Sequence, residues 1–474
     1  MKTKKLDLAI IGAGSAGMAA YSVARHHTES LALIEGYQYG TTCARVGCMP
    51  SKLLIAPAEL AHRTSGAEAF GLKLSGPLQI DGPALLKRLR AERDRFVGFV
   101  LDSIDEIPAE HKLWGQARFI GPDRLQLSED LEIQAKAFVV ATGSIPVIPP
   151  PYRDLGDLLL STDEIFELED LPRSVAVIGP GVIGLEIGQA LSRLGVEVGL
   201  YGLGGLFGPF SDPDMRQLAL KAFSEELEIH ADAQELKAQR IGQEVEISHL
   251  VNGQVQRRRF ERVLVTTGRK PRLEGLDLAV TGLKLDKKGR PPLDPKTLQC
   301  GDLPIFLAGD ASQLRPLLHE AIEQGKQAGK NAALYPKITG GWDRTPLAVV
   351  FSDPQIAIVG KGFADLEPGC FAQGEVDFAN QGRSRVMLKN LGVLRLYAAM
   401  ADGKLLGAEC FGPDAEHLAH LLAWAIEVDS TVDQLLQRPF YHPVIEEGLR
   451  TALRDLRKNL HQPGRTDCPC CPGE

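Results

Sequence analysis

The feature that most constrains this chain is a strand–turn–helix opening that occurs twice, about 167 residues apart. The first copy reads LDLAIIGAGSAGMAAYSVARHH and continues into LALIEG. The second reads SVAVIGPGVIGLEIGQALSRLG and continues into VEVGLYG. Each is an apolar strand, a G-x-G-x-x-G turn, a helix and a second strand, which opens a βαβ unit whose turn can hold a dinucleotide pyrophosphate. One such match is weak evidence. Two matches, each in its strand–turn–helix setting, predict a chain that binds two nucleotides.

In the first copy Gly12 allows the tight turn, Gly14 lets the backbone approach a pyrophosphate, and Gly17 lets helix and strand pack closely. The helix N-terminus adds amide donors and a favourable dipole for phosphate. Glu35 ends the next strand, where an acid hydrogen-bonds a ribose hydroxyl. In the second copy Gly179, Gly181 and Gly184 repeat the pattern, but the strand ends in Tyr201–Gly202 with no acid. The following LGGLFGPF holds no Arg or Lys for a 2′-phosphate, so NAD versus NADP stays open, with Gly184 leaning to NAD. Two apolar strands end in Thr-Gly turns, VVATGS with Thr142 and Gly143, and VTTGRKP with Gly268. They read as the chain returning beside each nucleotide. IFLAGDA is a buried strand ending in Gly309–Asp310, an acid placed to accept from a flavin's ribityl hydroxyl.

Shortly beyond the first fingerprint, TTCARVGCMPSK sets Cys43 and Cys48 within reach of a bound dinucleotide. A helix is expected from Cys48 onward, with Pro50 and Lys52 in its first turns. Positions i and i+5 of a regular helix are about 7.5 Å apart in rise alone. A disulfide needs Cα atoms closer than about 7 Å, so the backbone has to distort between these cysteines. A strained, accessible disulfide is readily reduced, and a helix N-terminus favours the thiolate. A zinc site would show tighter C-x2-C spacing and a second pair nearby, so no metal ligands are assigned.

At 474 residues the chain is long enough for two to four domains. A net charge of −8 without a basic run argues against nucleic acid, and no apolar run reaches the ~18 residues of a membrane span. The basic, apolar start MKTKKLDLAIIGAG leads into the fingerprint rather than a cleavage site and reads as the first strand. Eight cysteines in so long a chain make no secreted disulfide scaffold, and a reducing cytoplasm fits best. After about residue 340 the pattern changes. TPLAVVFSDPQIAIVG, GVLRLYAA and KLLGAECFG read as strands and HLAHLLAWAIE as a helix, which predicts a separate α+β domain. That domain ends in FYHPVIEEGLRTALRDL, with His442 and Glu447 five apart around Pro443. A carboxylate holding an imidazole makes a tuned general base. The residues alone favour a surface histidine before a helix with Pro443 in its first turn.

Together these features resemble the flavoprotein disulfide reductases, the family of dihydrolipoamide dehydrogenase, glutathione reductase and mercuric reductase. The resemblance runs from about residue 6 to residue 456 and rests on TTCARVGCMPSK, the paired fingerprints, ATG, TTGRKP, LAGDA and HPVIEE in family order. It implies an α/β fold of two Rossmann-like dinucleotide-binding domains, for FAD and NAD(P), plus a C-terminal α+β dimerisation domain. The FAD-binding domain would take residues 1–155 and 271–340, the NAD(P)-binding domain 156–270, the interface domain 341–460 and a cysteine-containing tail 461–474. It implies FAD and NAD as cofactors, with NADP not excluded. It also implies a homodimer in which the His–Glu pair of one subunit faces the disulfide of the other, which reverses the preference at His442. By motif, Cys43 would be the interchange thiol and Cys48 the charge-transfer thiolate against the flavin. His442 would shuttle the proton and Glu447 would hold it. Lys52 would lie near the flavin N5 and Glu186 near the nicotinamide. Gly12, Gly14, Gly17, Glu35, Lys52, Ala117, Thr142, Gly143, Gly309 and Asp310 would line the FAD site, with the backbone of His319 behind the flavin ring.

Some residues depart from the pattern. Dihydrolipoamide dehydrogenases usually read GGTCLNxGC and HxHP, whereas this chain has Thr41, Arg45 and Phe440 at three of those positions. Val182 and Gly184 resemble dihydrolipoamide dehydrogenase rather than glutathione reductase. The nearest named activity is therefore dihydrolipoyl dehydrogenase, acting with NAD on a small dithiol or a lipoyl domain, with a 2-oxoacid dehydrogenase complex as a candidate partner. Cys468, Cys470 and Cys471 in the tail raise an alternative, a mercuric-ion or other disulfide reductase, because soft thiolates suit Hg(II) or Cu(I). A third reading, a flavin-containing redox sensor with little turnover, is motivated by Thr41, Arg45 and Phe440.

Overall fold

The computed structural model describes residues 2–341 and 344–461, so Cys468, Cys470 and Cys471 lie outside the described residues. The first strand, β1 (Lys2–Ile11), turns at Gly12 into α1 (Ser15–Ala24), and β2 (Leu31–Glu35) returns parallel to β1 with Leu8 opposite Leu31. The last four residues of β1 and all five of β2 are buried, as expected of parallel strands covered on both faces. Two helices in tandem, α2 (Thr42–Val46) and α3 (Cys48–Ser65), carry the cysteine motif, and α4 (Gly82–Asp105) follows. Next come β3 (Lys112–Trp114), β4 (Arg118–Gly121), β5 (Arg124–Ser128) and β6 (Leu131–Val140). The sheet order is β3-β2-β1-β6-β5-β4. The start of β6 pairs antiparallel with β5, while Phe138–Val140 pair parallel with the later strand Ile305–Leu307. A segment far along the chain thus completes the first sheet.

A second sheet follows. The chain runs through β7 (Ser144–Pro146), outside that sheet, then β8 (Leu159–Leu160), β9 (Ser174–Ile178), α5 (Val182–Arg193), β10 (Glu197–Tyr201), α6 (Pro213–Phe223) and β11 (Glu228–His230). An antiparallel meander, β12 (Gln234–Ile241), β13 (Glu244–Val251) and β14 (Gln254–Phe260), precedes β15 (Arg262–Val265) and β16 (Arg269–Pro271). The parallel order is β11-β10-β9-β15-β8, and β7 pairs antiparallel with β16. Tyr201, Val245, Ile247, Phe260 and Val263 join meander and parallel sheet in one apolar cluster.

The strand at Ile305–Leu307 is β17, and α7 (Leu318–Ala333) follows it. Gly325 and Gly329, one turn apart on α7, lie against α1. A Cβ on either would fall 2.2 Å from the Ala16 carbonyl oxygen or 2.4 Å from that of Ala20. The C-terminal sheet is wholly antiparallel, with strands β18 (Leu347–Val350), β19 (Gln355–Gly360), β20 (Phe371–Asp377), β21 (Val393–Ala399) and β22 (Leu405–Gly412). Their order is β18-β19-β22-β21-β20. The short α8 (Gly382–Val386), then α9 (Ala415–Glu427), α10 (Val432–Leu436) and α11 (Glu446–Leu460) complete this part. α11 begins at Glu446, so Pro443 lies in the preceding turn and not in the first helical turn expected from the sequence. No helix among the described residues is long and apolar enough to cross a membrane.

Candidate active site

The glycines of both fingerprints sit where backbone meets backbone. Gly12 has φ +102°, and a Cβ there would lie 2.4 Å from the Ala141 carbonyl oxygen. A Cβ on Gly17 would lie 1.8 Å from the Gly12 carbonyl oxygen, so helix and strand touch at that point. Gly14, by contrast, faces open space above the start of α1, where a pyrophosphate can approach the amides. Glu35 is fixed beside this turn: Oε2 accepts from the Ala13 amide at 2.9 Å, and Oε1 accepts from the Gly36 and Tyr37 amides.

Across the turn, Thr142 follows the end of β6, and its buried Oγ1 has no hydrogen-bond partner. A buried hydroxyl without a partner is costly, and a ligand group would satisfy it. Gly143 next to it has φ +70° and open space in front. Ser144 Oγ donates to Asp310 Oδ2 at 2.6 Å and accepts from Arg269 Nε at 2.9 Å, which brings the acid after β17 up to this edge. A Cβ on Gly309 would lie 3.0 Å from that of Ala16 in α1, and Ala117 is buried in an apolar core. His319 is the second residue of α7, half-exposed, with Nε2 4.0 Å from Glu320. Gly12, Gly14, Gly17, Glu35, Thr142 and Gly143 fit a dinucleotide lying along α1 and the end of β6, whereas no contact among the described residues ties Ala117 or His319 to that edge.

The second cradle repeats the geometry. A Cβ on Gly179 would lie 2.8 Å from the Thr266 carbonyl oxygen, and one on Gly184 would lie 2.1 Å from that of Gly179, while Gly181 is open. Gly268 has φ +110°, and its carbonyl accepts from the Val147 amide. A second dinucleotide fits here, over the start of α5.

The distortion between the cysteines is concentrated at Gly47, which has φ −123° and ψ −119° and separates α2 from α3. Cys43 lies inside α2, half-buried, and Cys48 opens α3, exposed; both are thiols. The Cys48 thiol is lowered to about 7, chiefly by the hydrogen bond from Cys43 and then by the charge of Lys52, against burial and Glu186. The Cys43 thiol is raised, because it holds the proton it donates to Cys48 and because it is partly buried. The first negative charge of the dithiol therefore belongs to Cys48. Thr41, at a position where relatives in the resemblance carry Gly, has φ +57°, and its Oγ1 caps α2 by accepting from the Ala44 amide at 3.2 Å.

Lys52 and Glu186 come together from separate segments. Nζ of Lys52 lies 2.9 Å from Oε2 and 3.1 Å from Oε1 of the buried Glu186. Oε1 also accepts from the Phe351 amide at 2.8 Å, and the Lys52 ammonium sits 4.5 Å over the Phe351 ring. One carboxylate thus joins α3, α5 and the segment after β18. Sequence reasoning missed Phe351, which works through its backbone amide and its ring face. It also missed Ser144 and Arg269, although both lie inside motifs it singled out.

His442 and Glu447 form the pair their spacing offered. Nδ1 lies 3.0 Å and 3.1 Å from the two carboxylate oxygens, and this bond is the chief reason the Glu447 carboxyl stays below the usual range. The His442 side chain is 80% exposed. With Nδ1 occupied, Nε2 is the ring nitrogen left for a substrate proton.

Residues 6–325 match the family model for pyridine nucleotide-disulphide oxidoreductases, and residues 347–453 match its dimerisation domain. A dihydrolipoyl dehydrogenase from Thermus scotoductus is 29% identical, the alignment covering 96% of this chain and 98% of that protein. A mercuric reductase from Shigella flexneri is 30% identical over 99% of this chain and 83% of its own length. Among solved structures, the Cu(II) complex of the HOCl-induced flavoprotein disulfide reductase RclA from Escherichia coli shares the fold. Its TM-score is 0.81 at 21% identity, over 96% of this chain and 99% of that one. This chain is an FAD- and NAD(P)-dependent oxidoreductase acting on sulfur groups and belongs to the pyridine nucleotide-disulphide oxidoreductase family.

Proposed function

We propose that this chain is a dihydrolipoyl dehydrogenase-type enzyme, oxidising a small dithiol such as dihydrolipoamide, free or on a lipoyl domain, at the expense of NAD+. The observation that carries the reading is the His442–Glu447 hydrogen bond in a chain that also bears the Cys43–Cys48 dithiol. A dithiol substrate is mostly protonated at neutral pH and needs a base before it can attack a disulfide, whereas a soft metal ion needs none.

In the oxidised enzyme Cys43 and Cys48 share a disulfide. A substrate thiolate, its proton taken by His442 Nε2, attacks Sγ of Cys43, and the Cys48 thiolate leaves. The second substrate thiol then attacks the substrate sulfur of the mixed disulfide. This releases Cys43, and the substrate leaves as its disulfide. Two electrons thereby reside on the Cys43–Cys48 pair, with the charge on Cys48 and the proton on Cys43. Bound FAD supplies the two-electron relay to NAD+. Glu447 holds the His442 ring through Nδ1 and stabilises the imidazolium between proton transfers. Lys52 lowers the Cys48 thiol by its charge, and Glu186 holds Lys52 in place.

The match of residues 347–453 to a dimerisation domain and the exposure of His442 support a homodimer in which this pair serves the partner's dithiol. The test is steady-state turnover of the FAD-loaded protein with dihydrolipoamide, using NAD+ and NADP+ in parallel. Wild type should turn over with NAD+. His442→Ala should lose about 10²–10⁴-fold in kcat/KM while NADH still reduces the flavin at the wild-type rate. Mercury-dependent nucleotide oxidation without dithiol turnover would replace this reading with the metal-ion one.

A further inference from the structure

We infer that Asp232, on the loop after β11, is the residue that reads the adenosine ribose at the second fingerprint and makes the nucleotide NAD(H) rather than NADP(H). The inference rests on pyridine nucleotide binding at that fingerprint and not on the identity of the dithiol. In a Rossmann half, the residue at the end of the second strand decides between the two nucleotides, an acid for a free ribose diol or a cation for a 2′-phosphate. Here that position is Gly202, and its surroundings forbid a side chain. A Cβ there would lie 2.6 Å from Cγ and 2.7 Å from Cδ of Pro180, the middle residue of the G-P-G turn, and 2.9 Å from the Ala231 carbonyl oxygen. The choice of proline in the fingerprint thus removes the usual ribose reader.

The loops after β10 and β11 are bound to each other in a way that supplies a substitute. The Gly202 amide donates to the His230 carbonyl, the Ala233 amide to the Gly202 carbonyl, and the Gly205 amide to the Ala231 carbonyl. Between these bonds the Gly204 amide donates to Asp232 Oδ1 at 2.9 Å, which anchors the carboxylate two residues beyond the vacant position. Asp232 is exposed and, among the described residues, has no other hydrogen bond and no ion pair, so its remaining acceptor sites are available. Gly204 and Gly205 have φ of +68° and +69° with open space where a side chain would be. On either side of them Leu203 and Leu206 expose apolar side chains, a surface suited to an adenine face.

Charge points the same way. His230, two residues before Asp232, has its ring nitrogen 2.9 Å from Glu228 and is stacked on Tyr201. Arg258 is tied to Glu228 and Glu197. Residues 202–210 contain no Lys or Arg. A ribose diol can donate to a carboxylate; a 2′-phosphate beside it meets like charge.

The test measures binding without turnover, using ADP-ribose and its 2′-phosphate, both of which lack the nicotinamide, by titration calorimetry on the FAD-loaded protein. Wild type should bind ADP-ribose about tenfold or more tightly than 2′-phospho-ADP-ribose, the scale of one charged hydrogen bond. Asp232→Asn should erase most of that ratio by improving the phosphorylated ligand. Asp232→Ala should also weaken ADP-ribose about tenfold. A ratio unchanged in both variants, or a wild type that prefers the phosphorylated ligand, overturns the assignment. If neither compound binds, the nucleotide site on which it rests is removed instead.

Discussion

Cys43 and Cys48 share a proton, and the direction of sharing decides which sulfur does what. Because the Cys48 thiol is lowered to about 7 and Cys43 is raised, the reduced pair loses one proton near neutrality and keeps the other. The thiolate is absent well below pH 7 and present well above it. The long-wavelength absorbance of two-electron-reduced holoenzyme should therefore rise with pH around a midpoint near 7. It should vanish at every pH in Cys48→Ser. In Lys52→Met the midpoint should move up by about one unit, because a nearby cation no longer favours the charged form. A pH-independent band would contradict this division of the pair. At this scale the sequence was most readable where function is local. Cys43, Cys48 and Lys52 fall within ten residues, and one spacing argument predicted the break now seen at Gly47. Phe351 was invisible because its role is an amide and a ring face, which any residue string can hide. Thr41 was noted as a departure, but only the backbone shows that it occupies a positive φ and recovers a cap in return.

Among the elements, close approach rather than hydrophobicity sets the helix pair behind the first cradle. Gly325 and Gly329 let α7 lie directly on the backbone of α1, the helix that follows the first fingerprint turn. Gly329→Ala should push the helices apart and cost about 1–3 kcal/mol, with weaker retention of FAD on dialysis. Gly98→Ala, in the middle of α4 with nothing within 4 Å of its Cβ, should instead stabilise by about 0.5–1 kcal/mol. Denaturant unfolding of the two variants checks the contrast; equal shifts would mean that helix propensity, and not contact, governs both sites. The parallel strands and crossover helices were legible because buried strands leave continuous apolar runs. The meander was not. QELKAQRI and QVQRRRF expose most of their side chains, so no apolar alternation marks them, and only the partner strand EVEISHLV has a buried face. EQGKQAGKN likewise conceals a contact face, because glycine carries no hydropathic signal of packing.

Over the whole molecule, the second nucleotide unit is fastened to the C-terminal sheet at two places. One is the α5 face, where Gln189 exchanges hydrogen bonds with Asp353 and Arg193 pairs with Asp353 at 3.0 Å. The other is a buried knot in which Asp212, the N-cap of α6, meets Arg395 at 2.7 Å and the Tyr397 hydroxyl at 2.9 Å. Burial opposes the charge of Asp212, but the bonds from Arg395 and Tyr397 outweigh it and hold the carboxyl below its usual range. These anchors hold the C-terminal sheet, against which α11 with Glu447 packs, to the unit that carries Glu186. The exposed pair must then find its dithiol on another molecule if the match to a dimerisation domain reflects how this chain assembles. Complementation decides the point. Co-expressed Cys43→Ser and His442→Ala chains, purified through two different tags, form a heterodimer with one dead and one intact composite site. If the base acts across the interface, that heterodimer should regain about half of wild-type turnover per dimer, as two-fold symmetry requires. If the histidine served the cysteines of its own chain, both sites of the heterodimer would lack a member and turnover would stay at the level of the single variants.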